Sequence, residues 1–164
     1  LAARHLADIG AKRIAFVGGF EGHPVTLERM SGYVELTEEL RVEPIQIFGR
    51  PSRAFGRDCA NDLIKNHTEV DAAVCFNDLV ALGLLSGFAQ SSVAVGSDFR
   101  IVGFDDIEEC ALVYPRLSSI RCDVGSFGRR SAETMLAWLE TGERPPARDL
   151  APVKLVVRQS SSSM

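Results

Sequence analysis

Four short apolar runs, separated by stretches with helical spacing, restrict this chain more than any other feature. The runs are residues 13–18, 44–49, 72–76 and 100–104. In Ile14-Ala15-Phe16-Val17, Ala72-Ala73-Val74-Cys75-Phe76 and Ile101-Val102-Gly103-Phe104, both alternating faces are apolar, the pattern of strands covered by helices on either side. The stretch 1–9 carries Leu1, Ala2, Leu6 and Ile9 at helical spacing, with Gly10 as a stop. Residues 24–40 carry Val25, Leu27, Met30, Tyr33, Leu36 and Leu40, and 54–64 and 79–88 repeat the pattern. Helix and strand in alternation predict an α/β fold built on a doubly wound parallel sheet. After Pro115 the rhythm changes. A strand candidate at 117–121 precedes a long amphipathic helix at 124–140, which Gly142 closes. Pro145-Pro146 open an extended connector, and 153–157 form a last strand candidate. Nothing in the pattern requires these late elements to join the first sheet. Trp138, on the apolar side of the late helix with Met135 and Leu139, is expected to pack. Serines 160–163 read as a frayed tail.

Composition removes several function classes. At 164 residues the chain is long enough for one real core, and no apolar run approaches the roughly 20 residues of a membrane span. The start, Leu1-Ala2-Ala3 followed by Arg4 and His5, lacks the apolar stretch of a signal peptide. It begins with Leu rather than Met, so the chain is expected to start inside a longer product. Eighteen Lys and Arg against 22 Asp and Glu give a net charge of −4. That balance provides no basic stripe for tight nucleic-acid binding by the chain itself. Cys59, Cys75, Cys110 and Cys122 are widely spaced without a CxxC pair, which points to reduced, buried thiols in a cytoplasmic protein. Enzyme signatures are absent. Val17-Gly18-Gly19-Phe20-Glu21-Gly22 is neither GxGxxG nor a phosphate loop, and there is no GxSxG elbow. The histidines have no metal-ligand spacing, so neither metal nor cofactor is expected. His5 and His67 are expected to be solvated, and only His23 remains as a possible ligand contact.

In open parallel sheets, ligands bind beyond the carboxyl ends of the strands. That rule picks out Phe20, Asn77, Asp78, Asp105 and Asp106, with Arg29 within reach from the helix after the first strand. A guanidinium, a carboxamide and carboxylates suit a polyhydroxyl guest, and Phe20 is placed to stack on a sugar face. The same residues have plainer uses. Asp78 is expected to cap its helix, Asn77 is as ready to cap as to bind, and one of Asp105 and Asp106 is expected to cap. Arg29 has Glu28 and Glu35 as surface partners.

Six segments, in order, resemble the effector-binding domain of the LacI/GalR family of transcriptional regulators. They are residues 6–19, Arg29-Met30-Ser31-Gly32-Tyr33, residues 71–83, Ile101-Val102-Gly103-Phe104-Asp105-Asp106-Ile107, residues 114–120, and Leu155-Val156-Val157-Arg158-Gln159-Ser160. The resemblance implies a periplasmic-binding-protein-like fold, mainly the C-terminal subdomain (1–121). A late segment of the N-terminal subdomain (122–151) follows, then a closing strand and disordered tail (152–164). It implies that Arg29, Asn77 and Asp105 bind a small effector, a sugar or related polar molecule. It places Leu82 and Leu85 near a homodimer partner, and leaves operator DNA to a helix-turn-helix that this chain lacks. A sugar-binding component of a transporter shares the fold, and an α/β enzyme is a more distant rival. The Arg158-Gln159-Ser160 ending and the paired Ser118-Ser119 favour the repressor.

Overall fold

Alternate residues of the first strand leave in opposite directions, and that division organises the molecule. In β1 (Ile14–Val17), Ile14 and Phe16 pack with Leu6, Met30, Tyr33 and Leu36. Ala15 and Val17 pack with Cys59, Leu63, Val80 and Leu84. The first set comes from α1 (Ala2–Asp8) and α2 (Pro24–Leu40), the second from α3 (Arg53–Asn66) and α4 (Asp78–Phe88). The sheet is thus covered on both faces, which is why its strands are apolar throughout. These elements belong to a computed structural model that describes residues 1–146 and 151–162.

The remaining strands are β2 (Ile45–Ile47), β3 (Ala72–Cys75), β4 (Arg100–Asp105), β5 (Ser118–Cys122) and β6 (Val153–Val156). Their order in the sheet is β2-β1-β3-β4-β5-β6. The first five run parallel and β6 is antiparallel to β5. The late strands therefore do join the first sheet, as its edge. A short helix, α5 (Glu109–Leu112), was not legible in the pattern. Register is held by side chains as well as by the ladder. The Tyr33 hydroxyl accepts from Ile45 N–H at 2.7 Å and lies 3.1 Å from the Ile14 and Ile45 carbonyls, tying α2 to β1 and β2. The Asp71 carboxylate accepts from Lys12 and Arg13 N–H and so fixes the entry to β1.

The end of the chain corrects the sequence reading. Ser160 and Ser161 are fully buried in a 3-10 turn (Gln159–Ser161), not frayed. The Ser160 hydroxyl donates to the Ile101 carbonyl and accepts from Ser118 N–H. Ser161 donates to the Ser118 hydroxyl at 2.7 Å, and His5 Nε2 lies 2.9 Å from Ser161 Oγ. His5 is accordingly an internal tie between α1 and the chain end rather than a solvated side chain. The buried hydroxyls of Ser118, Ser160 and Ser161 each find a partner, the usual condition for burying one. Ser163, also read as tail, lies outside the described residues, as does the 147–150 part of the connector.

The long helix α6 (Val124–Thr141) overturns a second expectation. Gly142 ends it, as its sequence implies, and Asp123 caps it, yet none of its residues is buried. Trp138 is 44 % exposed, Met135 61 % and Leu139 77 %. The helical period marks an apolar face without saying what covers it. A helix in a protein draws most of its stability from tertiary packing of its apolar face, and α6 has none buried. Hydrogen exchange of the 164-residue chain alone is therefore expected to run roughly two orders of magnitude faster in α6 than in β1, β3 and β4. Equal protection of α6 and the strands would contradict the exposed face.

Candidate functional site

The carboxyl ends of β1, β3 and β4 share one rim, and Arg29 reaches it from α2. Its Nη1 donates to the Phe76 carbonyl at 2.6 Å and its Nη2 to Asp105 Oδ1 at 3.2 Å. Its Cζ lies 4.0 Å from the Phe104 ring centroid and 4.7 Å from that of Phe76. Two aromatic faces and two acceptors fix the guanidinium in one place before any ligand arrives. Arg29 does not spend its charge on a wet helix face. Asp105 is held slightly more openly, its side chain 37 % exposed against 21 % for Arg29. Burial pushes the Asp105 carboxyl above the ordinary range, and Arg29 offsets only part of that push. The two charges cancel, leaving a rim with directed donors and acceptors and little net charge.

Asn77 stands next to Phe76 and N-caps α4. Its Oδ1 accepts from Val80 N–H at 3.1 Å, which leaves the Nδ2 group as the donor for a guest. Cap and contact are compatible roles for one carboxamide. Asp78 is not the cap. It is 1 % exposed and turns inward, where its carboxylate accepts from the Ser119 hydroxyl at 2.6 Å and from Ile107 N–H at 2.9 Å. Burial raises its pKa, with these bonds opposing. Gly103 makes this possible. A Cβ there would lie 2.1 Å from Asp78 Oδ1. The expectation that one of Asp105 and Asp106 caps is also corrected, since α5 starts after Glu108 without a side-chain cap. Instead both residues have positive φ, 112° and 57°. Each such residue costs on the order of 1–3 kcal/mol and persists only where surroundings over-determine it.

Phe20 is 55 % exposed on the loop after β1. The rings that meet Arg29 are Phe76 and Phe104, which sequence reasoning passed over as strand residues. The available signal was that each immediately precedes a polar rim residue. His23 is occupied as the α2 cap, its Nδ1 accepting from Val25 N–H at 3.3 Å. Leu82 and Leu85 are each 8 % exposed and belong mainly to the α3–α4 core. They also floor a surface depression of about 380 Å³ beside Tyr114, which is 89 % exposed. Among the described residues, no cluster of three His, Cys, Asp or Glu side chains could hold a metal ion. Cys59, Cys75 and Cys110 are buried free thiols and Cys122 is half-buried. Burial pushes the Cys59 thiol up to about 12, so it stays protonated.

A doubly wound sheet whose chain passes out through β5 and returns through β6, with a polar rim at the switch, defines a periplasmic-binding-protein-like effector domain. The comparisons agree. The chain belongs to the family described as "Periplasmic binding protein-like domain", which matches residues 3–161. It is 26 % identical over 166 residues to the HTH-type transcriptional regulator GalR of Escherichia coli (strain K12), covering 99 % of this chain and 48 % of that protein. The crystal structure of the Lac repressor bound to ONPG in the repressed state superposes with a TM-score of 0.88 at 26 % identity, covering 98 % of this chain and 49 % of that one. The transcriptional regulator CelR–cellobiose complex gives 0.89 at 25 % identity, over 97 % and 50 %. The chain thus spans about half the length of the relatives it matches. These relatives are transcriptional regulators rather than enzymes.

Proposed function

We propose that this chain is the effector-binding core of a sugar-responsive transcriptional repressor, with Arg29, Asn77 and Asp105 as its share of the ligand contacts. The observation that carries the reading is the convergence of Arg29 and Asp105 beside Asn77 at the carboxyl rim, ordered in advance by Phe76 and Phe104. A charge-cancelled rim of this kind suits an uncharged polyhydroxyl guest, with Phe20 exposed at the edge for stacking. The relatives, transcriptional regulators by name, support a regulator over a transporter component. Operator binding belongs to a helix-turn-helix outside this chain, in keeping with its net charge of −4. Residues 122–151 are read as a late piece of the second subdomain, whose missing partner elements would cover the exposed face of α6. We read the protein as cytoplasmic, in line with relatives named as transcriptional regulators. No described helix is long and apolar enough to cross a membrane.

The mechanism follows from population shift. An effector that grips the rim and the opposite subdomain together favours the closed arrangement, and the shift equals its differential affinity for the two states. The assembly is read as a homodimer. Leu82 and Leu85 supply the floor of the contact, while exposed Tyr114 and Leu112 supply the projecting area that an isologous interface would bury.

The test is calorimetric titration of the intact protein against a panel of sugars and purines. Asp105→Ala is expected to weaken the best ligand by about tenfold or more, as is Asn77→Ser, which keeps the cap but removes the Nδ2 donor. No heat from any panel member, or unchanged affinity in both variants, would remove the reading.

A further inference from the structure

Asp106 follows the rim residue Asp105, but a different set of partners engages it. Its side chain is 2 % exposed. Oδ1 accepts from Arg158 Nη1 at 2.7 Å and Oδ2 accepts from Arg121 Nε. Its N–H donates to the Ser119 hydroxyl, the same hydroxyl that donates to Asp78. Arg158 Nη1 also donates to the Leu117 carbonyl at 2.7 Å. Burial works against the charged carboxylate, but the bonds from Arg158 and Arg121 outweigh it and hold the group below its ordinary range.

The placement of those partners matters. Arg121 is on β5, and Arg158 lies just beyond β6. These are the two strands through which the chain leaves for α6 and returns. Asp105 and Asp106 are successive residues in the left-handed region, so their shared peptide is a stiff turn with few alternative conformations. A displacement of Asp105 must either carry β5 and β6 with it or break the double grip on Asp106.

We propose that Asp106 is a positioning residue: it holds the Asp105 turn against both crossover strands, so that capture of a ligand at Asp105 is felt at β5 and β6. The inference deepens the sensor reading and rests on it for the role of Asp105. It also gives Arg158, in the closing sequence motif, a physical task.

The test uses Asp106→Asn and Asp106→Gly in the intact protein. Both replacements tolerate a φ near 57°, so the backbone of the turn is not itself at issue. Asp106→Asn removes the charge and one acceptor while keeping the side-chain shape, and Asp106→Gly removes the side chain altogether. Amide hydrogen exchange is expected to accelerate about tenfold or more in 119–122 and 153–156, while 14–17 and 72–75 stay within about twofold of wild type. Affinity for D-ribose or cellobiose, whichever the wild type binds, is expected to fall about tenfold. Arg121→Gln, at a half-exposed guanidinium, is expected to loosen 119–122 alone. Unchanged exchange in both strands, or acceleration spread equally to β1 and β3, would overturn the proposal, the second because it marks general destabilisation. Absence of any heat from wild type with either sugar counts against the sensor reading, and the exchange result decides the role of Asp106 independently.

Discussion

Changing Arg29 to alanine is expected to weaken effector binding roughly 30- to 150-fold, read as Kd by calorimetry on the intact protein with the sugar that wild type binds. Truncating one member of a hydrogen-bonded charge pair that is buried on binding costs about 2–5 kcal/mol, much of it from the partner left behind. Here the pair is partly open, 21 % and 37 % exposed, so the lower part of that range applies, about 2–3 kcal/mol. Two groups would be stranded. The Phe76 carbonyl loses a 2.6 Å donor, and the Asp105 carboxylate loses its Arg29 donor at the moment a ligand excludes water from it. Phe76 and Phe104 would close over the vacated guanidinium position. Arg29→Lys keeps the charge but not the fork. A single ammonium does not reproduce a bond to Phe76, a bond to Asp105 and flat contact with two rings. It is expected to fall between wild type and Arg29→Ala. An affinity unchanged in both variants would mean that the ligand sits elsewhere.

The rim that carries the candidate site was legible in the sequence, for a local reason. Strands covered on both faces announce themselves by apolar runs, and parallel order puts the ends of those runs on one rim. That geometry reaches Asn77, Asp78, Asp105 and Asp106 alike, with Arg29 in range, and the family resemblance narrows the set to Arg29, Asn77 and Asp105. What was not legible depends on distant partners. Asn77 and Asp78 are equally good caps by residue type, and the choice between them is made by Ser119 and by the missing Cβ of Gly103. Ser160 and Ser161 have the composition of a tail, and only Ser118, Ile101 and His5 turn them into buried structure. The double grip on Asp106 unites residues from three strand ends, none near another in sequence. For α6 the limit is different. Its spacing states correctly that one face is apolar, but a period carries no record of the partner.

Gly83→Ala is expected to cost about 3 kcal/mol, at the upper end for overpacking a close-packed interior, and to lower Tm by roughly 6–12 °C. The α3–α4 crossing is the reason. A Cβ at Gly83 would lie 2.3 Å from the Arg53 carbonyl oxygen and 2.8 Å from the Gly56 Cα, while one at Gly56 would lie 2.1 Å from the Val80 carbonyl oxygen. These are backbone atoms, so no side-chain rotation relieves the clash and the helices themselves must separate. Because α4 begins at the Asn77 cap, a shift of the helix also moves the rim, and sugar affinity is expected to fall along with stability. Gly32→Ala provides the contrast. That glycine is exposed on α2 with nothing within 4 Å of its added Cβ, so the same substitution only improves helix propensity, by roughly 0.5–1 kcal/mol. Thermal melts of the two variants followed by circular dichroism should therefore move in opposite directions. If Gly83→Ala melts with wild type, the close approach of α3 to α4 is not what positions the end of β3.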